Sequence, residues 1–191
     1  MRINLFRLLF IILFIWIIFW KLHLLIVYSI VIFLSVEFLN TKQQYKQLNY
    51  TLYNSIFFGL LLFTTLIRSR NFMISLNVKW LINGMEHFLF SIVICLKICI
   101  YFFVCSKRNF TTLQLAFIAV LTFNIIGLGN EFYQNLFSTN KTFFQLDFGS
   151  KIDLLVNFFS SLLFLVTIYF FPNSFLSIKN KNSKNQNNLK A

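Results

Sequence analysis

Long apolar runs follow one another along this sequence, with only short polar stretches between them. Hydrophobic residues make up 58% of the 191 residues, and charged residues only 12%. A chain this short cannot cover so much apolar surface by folding on itself in water. Crossing about 30 Å of hydrocarbon takes roughly 20 apolar residues in a helix, and several runs approach that length. The sequence therefore predicts an all-α, polytopic membrane helix bundle.

Six runs are expected to be transmembrane helices of a single domain over residues 1–171. They cover residues 5–20, 22–39, 52–67, 80–105, 113–129 and 152–171. Only Lys21 and His23 separate the first two, and we expect a turn there, because about 35 apolar residues in one helix would extend beyond roughly 50 Å. Without that turn the number of spans is five. Pro172 ends the last run, and residues 172–191 are expected to be a disordered basic tail.

The net charge of +12 does not indicate a nucleic-acid partner, because the basic residues are spread over loops and the tail rather than over one aromatic-rich face. They fit contacts with anionic membrane lipids better. Their excess on one set of alternate loops favours cytoplasmic termini. Cys95, Cys99 and Cys105 form no C-x-x-C pair and have no metal-like spacing with the two histidines. Neither a metal nor a cofactor is expected.

Four of the five acidic residues lie at the edges of the last three apolar runs. They are Glu86, Glu131, Asp147 and Asp153. An acid beside a membrane segment is costly and therefore suggests a function. Because successive spans alternate in direction, the start of the fourth, the end of the fifth and the start of the sixth lie at one membrane face. We expect one polar pocket there, formed by His87, Glu131, Gln134, Asp153 and Asn157.

Helical spacing adds detail to this pocket. Asp153, Asn157 and Ser160 fall on one stripe of the sixth run, and Asn124 and Glu131 share a face of the fifth. The two stripes are expected to face each other, since lipid would leave their groups unpaired. Two structural alternatives remain open. The amides and hydroxyls can be hydrogen-bonding contacts between helices, and Asp153 can be a helix cap.

One further charged residue lies inside the fourth run. Lys97 is on the same helical face as Glu86 but roughly 16 Å further along the helix. A long lysine side chain can extend along apolar surface and keep its ammonium group in water. We therefore expect Lys97 to extend to the opposite membrane interface.

Three short motifs carry a family resemblance. They are Asn83-Gly84-Met85-Glu86-His87-Phe88, Glu131-Phe132-Tyr133-Gln134 and Asp153-Leu154-Leu155-Val156-Asn157. In this order, over about residues 80–165, the chain resembles the VanZ-like family of small membrane proteins. Where that family often has an arginine, between the last two motifs, this chain has Lys141 and Lys151. The resemblance implies a bacterial inner-membrane protein of the cell envelope, linked in some members to teicoplanin resistance, with no established reaction.

The function we expect is binding of an envelope lipid, or of a lipid-linked or glycopeptide-type ligand, in the polar pocket near the outer face. Glu86, Asn124, Lys141 and Lys151 are secondary candidates for the same site. One alternative is an intramembrane enzyme that acts on a lipid headgroup with His87 or Glu131 as general base. The sequence has no nucleophile elbow, zinc-protease motif or phosphate-binding loop, which favours binding. Another alternative is an accessory subunit of a larger membrane complex, with unknown protein partners.

The topology can be tested by cysteine labelling. In a variant without native cysteines, Thr139→Cys is expected to react with a membrane-impermeant thiol reagent on intact cells, because the loop after the fifth span is placed outside. The matched variant Ser183→Cys, in the tail, should react only after the cells are lysed. Labelling of the tail variant on intact cells would invert the topology.

Overall fold

The computed structural model describes residues 3–20, 23–68, 79–106, 110–136 and 148–171. Within these stretches the chain is helical. The helices are α1 (Ile3–Phe19), α2 (His23–Thr41), α3 (Gln43–Gln47), α4 (Tyr50–Arg68), α5 (Lys79–Cys105), α6 (Thr112–Leu136) and α7 (Phe148–Phe170). By length and composition, α4, α5, α6 and α7 can each cross a membrane, and α1 and α2 contain shorter apolar segments. The protein is thus a membrane-embedded helical bundle. The tail from residue 172 lies outside the described residues.

The first two apolar runs form a helical hairpin, α1 and α2, rather than one long helix. The ring of Phe33 in α2 stacks on Phe6 and Phe10 of α1, with centroids 5.9 Å and 4.2 Å apart. Arg7, near the start of α1, forms an ion pair with Glu37, near the end of α2. These contacts require antiparallel helices, so the predicted break between the runs is confirmed.

The bundle consists of two groups of three helices. In the first group α1, α2 and α4 pack against one another, and in the second α5, α6 and α7 do so. The junction is formed by α5, which packs on α4 and also contacts α2 through the ring pairs Tyr28–Phe90 and Phe38–Tyr101, each with centroids 5.9 Å apart. The helix α5 therefore lies at the centre of the bundle.

Small side chains are buried in both α5 and α6, which pack against each other. Cys95 and Cys99 of α5 are fully buried, as are Ala116 and Ala119 of α6. Small residues at such positions let helix backbones approach each other in a membrane, where the hydrophobic effect does not drive helices together. The two cysteines are therefore packing residues.

A buried polar contact attaches the short helix α3 to the first group. The hydroxyl of Tyr45 donates to Asn54 Oδ1 in α4 at 2.8 Å. The Nδ2 of Asn54 in turn donates to Asn40 Oδ1 in α2 at 3.3 Å. Burial, with a smaller contribution from Tyr53, raises the pKa of Tyr45, so the phenol stays protonated and acts as a donor.

Two helix ends differ from the sequence prediction. The helix α6 continues past Gly129 to Leu136, although the apolar run ends at residue 129. Glycine weakens a helix by about 1 kcal/mol, which packing can override, and Glu131 is buried within this extension. The helix α7 begins at Phe148, before the expected residue 152, so Asp153 lies in its second turn and cannot cap it.

Removing the amide of Asn54 should destabilise the bundle. We expect Asn54→Ala to lower the free energy of unfolding by about 1–3 kcal/mol, because Tyr45 and Asn40 both lose a buried partner. Thermal unfolding in detergent measures the effect. The control is Ser55→Ala, one residue along on the exposed surface. Equal stabilities of the two variants would mean that the buried contact contributes nothing.

Candidate functional site

Polar side chains form two stripes on neighbouring faces of α5. Asn83, His87 and Ser91, spaced four residues apart, point towards α7. Glu86 and Lys97 point towards the first helix group, where they contact α4 and α2. The first stripe meets polar residues of α7, and we define this α5–α7 cluster as Asn83, His87, Ser91, Asp153 and Asn157.

Asp153 is held by two side chains of α5. Its Oδ1 accepts a hydrogen bond from Asn83 Nδ2 at 2.9 Å, and its Oδ2 lies 3.4 Å from His87 Nε2. The predicted proximity of His87 and Asp153 is thereby confirmed. The alternative in which Asp153 serves as a helix cap is wrong, because the carboxylate contacts a neighbouring helix from the second turn of its own.

Asn157 forms the inner end of the cluster. Its Oδ1 accepts a hydrogen bond from the hydroxyl of Ser91 at 2.9 Å and lies 3.3 Å from His87 Nδ1. The helix α6 closes over it, since a Cβ added to Gly127 would lie 3.8 Å from Asn157 Nδ2. Asn157 therefore faces α6 as predicted, and a Cβ at residue 127 would make an ordinary van der Waals contact with its amide.

Both ring nitrogens of His87 face oxygen atoms of α7. Nε2 faces the carboxylate of Asp153, and Nδ1 faces the amide oxygen of Asn157. With the amide in this orientation, a ring that carries protons on both nitrogens donates to both oxygens. The bundle itself therefore occupies the two positions at which His87 could exchange a proton with a substrate.

The cluster is open at one end and closed at the other. The side chains of His87 and Asp153 are 23% and 22% exposed, whereas Asn157 and Ser91 are buried. Deeper in the bundle, Asn124 of α6 donates to Ser161 of α7 at 2.9 Å. This pair is a hydrogen-bonding contact between helices, one of the two alternatives that the sequence left open.

An apolar groove of about 390 Å³ runs beside the cluster on the outer surface of α5 and α7. Its walls are formed by Phe88, Ile152, Leu155, Val156, Phe159, Ser160 and Leu163. Phe88 follows His87 in the chain and Val156 precedes Asn157, so the groove and the cluster adjoin. Leu155 and Phe159 are 55% and 62% exposed. In a membrane these surfaces contact lipid.

The second stripe of α5 binds the first helix group. Arg68 of α4 donates through Nε to both carboxylate oxygens of Glu86 at 3.1 Å, and its Nη2 lies 2.9 Å from Oε2. Arg68 was not among the residues predicted for the site. Its position at the end of one span, with Glu86 near the start of the next, was the sequence signal for this pair.

Lys97 does not reach a membrane interface, so that prediction is wrong. Its Nζ lies 3.4 Å from the carbonyl oxygen of Ile32 and 5.5 Å from the centroid of the Phe57 ring. The residue is 9% exposed. The helices α2 and α4 cover it, and the backbone oxygen and the ring face take the place of water around the ammonium group.

Glu131 is buried in α6, and none of the described contacts of the α5–α7 cluster includes it. Its neighbour Asn130 accepts a hydrogen bond through Oδ1 from the hydroxyl of Tyr28 in α2 at 3.4 Å. The described contacts therefore bring His87, Asp153 and Asn157 together but do not join Glu131 to them.

Of the other predicted site residues, Lys151 is exposed in the first turn of α7. The side chain of Gln134 and the whole of Lys141 lie outside the described residues. Asn83 and Ser91 were not chosen as site residues, although their spacing of four from His87 would have indicated them.

The chain matches no protein-family model, no curated protein and no solved structure. Its function must therefore be inferred from the geometry described above and from the sequence.

The contribution of Asn157, at the inner end of the cluster, to the stability of the protein can be measured. Asn157→Leu should lower the free energy of unfolding by about 1–3 kcal/mol, because Ser91 and His87 lose their buried acceptor. Phe158→Leu, at the neighbouring exposed position, is the control and should change little. Unfolding in detergent, followed by circular dichroism, measures both. A larger loss in the control would contradict the described pairing.

Proposed function

We propose that this protein is a VanZ-like protein of the bacterial inner membrane that binds an envelope lipid or lipid-linked molecule at the α5–α7 cluster. The ligand's polar head contacts Asp153, His87 and Asn83 at the outer membrane face. Its hydrocarbon chain lies in the groove between α5 and α7.

The observation that carries this proposal is the position of a half-open polar pair beside a lipid-facing apolar groove. His87 and Asp153 each keep about a fifth of the side chain exposed, and Phe88 and Val156 of the groove are their close neighbours in the chain. A polar head joined to an apolar chain has this same arrangement of surfaces. Lipid surrounds a membrane bundle on all sides, so such a ligand reaches the groove without crossing water.

The charges of the site favour a head rich in hydroxyl or amide groups over a bare phosphate. Phosphate is best bound by an arginine or lysine that has no acidic partner. Here His87 faces Asp153, and Arg68 is bound to Glu86. Sugar and peptide groups, as in lipid-linked precursors or glycopeptides, can donate to Asp153 and accept from Asn83.

A bundle of six spans with cytoplasmic termini accommodates this site at the outer face. The pairs Arg68–Glu86 and His87–Asp153 lie at the end of the bundle where α4 ends and α5 and α7 begin. The pair Arg7–Glu37 lies at the other end, where α1 begins. The excess of Lys and Arg falls on that second end, which favours its cytoplasmic placement.

An enzyme that uses His87 as general base is less well supported. A general base needs a nitrogen within reach of the substrate proton, and both ring nitrogens face α7. The hydroxyl of Ser91 lies 2.7 Å from the carbonyl oxygen of His87, so it is not directed at the ring as an activated nucleophile would be. An accessory subunit would need the polar stripes of α5 for docking, but each stripe already pairs with another helix of the same chain.

Ligand binding can be measured by native mass spectrometry on the purified chain. The probes are a polyprenyl-linked disaccharide peptide, phosphatidylglycerol, and a free glycopeptide that carries no acyl chain. We expect the polyprenyl-linked probe to bind best, and Asp153→Asn to weaken it about tenfold, roughly 1.4 kcal/mol, because a charge-assisted acceptor is lost. Phe159→Ser, in the groove, should weaken binding of the polyprenyl-linked probe but not of the free glycopeptide.

Two control variants accompany this measurement. Glu37→Gln removes an acid at the opposite end, and Ile125→Ser places a hydroxyl on another lipid-facing surface. Neither should change the affinity. Conversion of a probe to product would favour the enzyme, and an unchanged affinity of the Asp153 variant for the polyprenyl-linked probe would exclude the proposed site.

A further inference from the structure

A lysine lies over an aromatic ring at the end of the bundle opposite the α5–α7 cluster. Lys42 directly follows α2 and precedes α3, and its Nζ lies 4.5 Å from the centroid of the Phe38 ring. At this distance the positive charge is attracted to the face of the ring. The ammonium group is therefore held close to the side of α2.

Phe38 belongs to a pair of aromatic rings on the outer surface of the bundle. Its centroid lies 5.9 Å from that of Tyr101 in α5, and the two residues are 41% and 44% exposed. Aromatic rings near the ends of membrane helices lie where lipid headgroups join their acyl chains. We define Lys42, Phe38 and Tyr101 as the Lys42 patch.

The acidic residues of the chain do not neutralise Lys42. Of the five Asp and Glu residues, only Glu37 lies at this end, and both of its carboxylate oxygens accept hydrogen bonds from Arg7. In the sequence the other four occur near the start of α5, near the end of α6 and beside the start of α7. These helix ends lie at the opposite end of the bundle, where α2 begins.

The stretches outside the described residues do not add an acid at this end either. The chain there precedes α1 and follows α5 and α7, over residues 1–2, 107–109 and 172–191. These stretches contain several Lys and Arg residues but no Asp or Glu. The sequence itself therefore leaves an excess of positive charge around Lys42.

A phosphate group fits this combination of charge and aromatic surface. Lysine binds phosphate oxygens through the N–H groups of its ammonium, and an acidic partner would compete for them. At the α5–α7 cluster, by contrast, His87 faces an acid, and so does the nearby Arg68. The rings of the Lys42 patch add an apolar surface next to the ammonium group, which suits the acyl chains that follow a lipid phosphate.

We propose that the Lys42 patch binds the phosphate of an anionic phospholipid, with an acyl chain of the same lipid against Phe38 and Tyr101. Because these rings belong to α2 and α5, the bound lipid contacts both three-helix groups. The site shares no residue with the α5–α7 cluster and does not depend on the function proposed for that cluster.

The test measures lipid binding to the full chain, purified in detergent, by native mass spectrometry. The probes are phosphatidylglycerol and a diacylglycerol with the same acyl chains, which has no phosphate. We expect Lys42→Gln to weaken binding of phosphatidylglycerol about fivefold, the effect of one basic residue near anionic lipid, and to leave binding of diacylglycerol unchanged. Lys42→Arg keeps the charge and should bind both probes as the wild type does.

A second variant tests the ring. Phe38→Leu keeps an apolar side chain but removes the ring face that holds the ammonium group. We expect it to weaken binding of phosphatidylglycerol about twofold, with a smaller change for diacylglycerol.

Two matched controls each remove one positive charge elsewhere. Lys46→Gln lies at the same end, on the exposed side of α3, and Lys151→Gln lies at the opposite end, in the first turn of α7. Both should weaken binding of phosphatidylglycerol less than Lys42→Gln does. Asp153→Asn, in the α5–α7 cluster, should leave the difference between wild type and Lys42→Gln unchanged, so failure of the function proposed there does not alter this result.

Four results would overturn the proposal. An unchanged affinity of Lys42→Gln for phosphatidylglycerol would exclude the site, and an equal loss in Lys46→Gln would reduce it to general attraction by surface charge. An equal loss in Lys42→Arg would show that the charge is not what binds. Displacement of phosphatidylglycerol by glycerol phosphate at the same concentration would identify a site for free phosphate rather than for lipid.

Discussion

The bundle depends on the need to pair polar groups on two sides of α5. Hydrocarbon offers no hydrogen-bonding partner, so each polar stripe of a membrane helix requires another helix to cover it. The His87 stripe is covered by α7, and the Glu86 stripe by α4 and α2. With α2 and α4 against one face of α5 and α7 against a neighbouring face, both stripes are covered at once.

Hydrogen bonds between membrane helices are individually weak, about 0.6 kcal/mol on average in measured cases. The contacts of Asp153 and Asn157 therefore fix which faces meet more than they determine total stability. Most of the stability of the bundle therefore has to come from close packing, which includes small buried residues such as Cys99 and Ala116. An Asn or Asp on the wrong face would still leave a buried polar group without a partner. The free-energy cost of such a group favours the observed arrangement.

The sequence predicts the α1–α2 hairpin and the meeting of His87 with Asp153 and Asn157, because span length and alternation of direction are local properties. It does not predict the position of Glu131. Asn124 and Glu131 are seven residues apart and share a helical face, yet Asn124 bonds to Ser161 of α7, whereas Asn130, next to Glu131, bonds to Tyr28 of α2. Helical spacing shows only on which face of its own helix a residue lies. Which neighbouring helix covers that face depends on how distant segments pack. The burial of Lys97 between α2 and α4 depends on the same packing.

The distribution of charge is consistent with the site proposed between α5 and α7. The chain carries a net charge of +12, but at the end of the bundle where α5 and α7 begin, Asp153 faces α5 and Arg68 is bound to Glu86. A site built from acids and amides inside a basic protein discriminates against phosphate at short range. Under the proposed function, the basic loops attract anionic lipid to the surface, and the α5–α7 cluster accepts hydroxyl or amide groups. Surface charge would then concentrate lipid, and the polar residues of α5 and α7 would select among its headgroups.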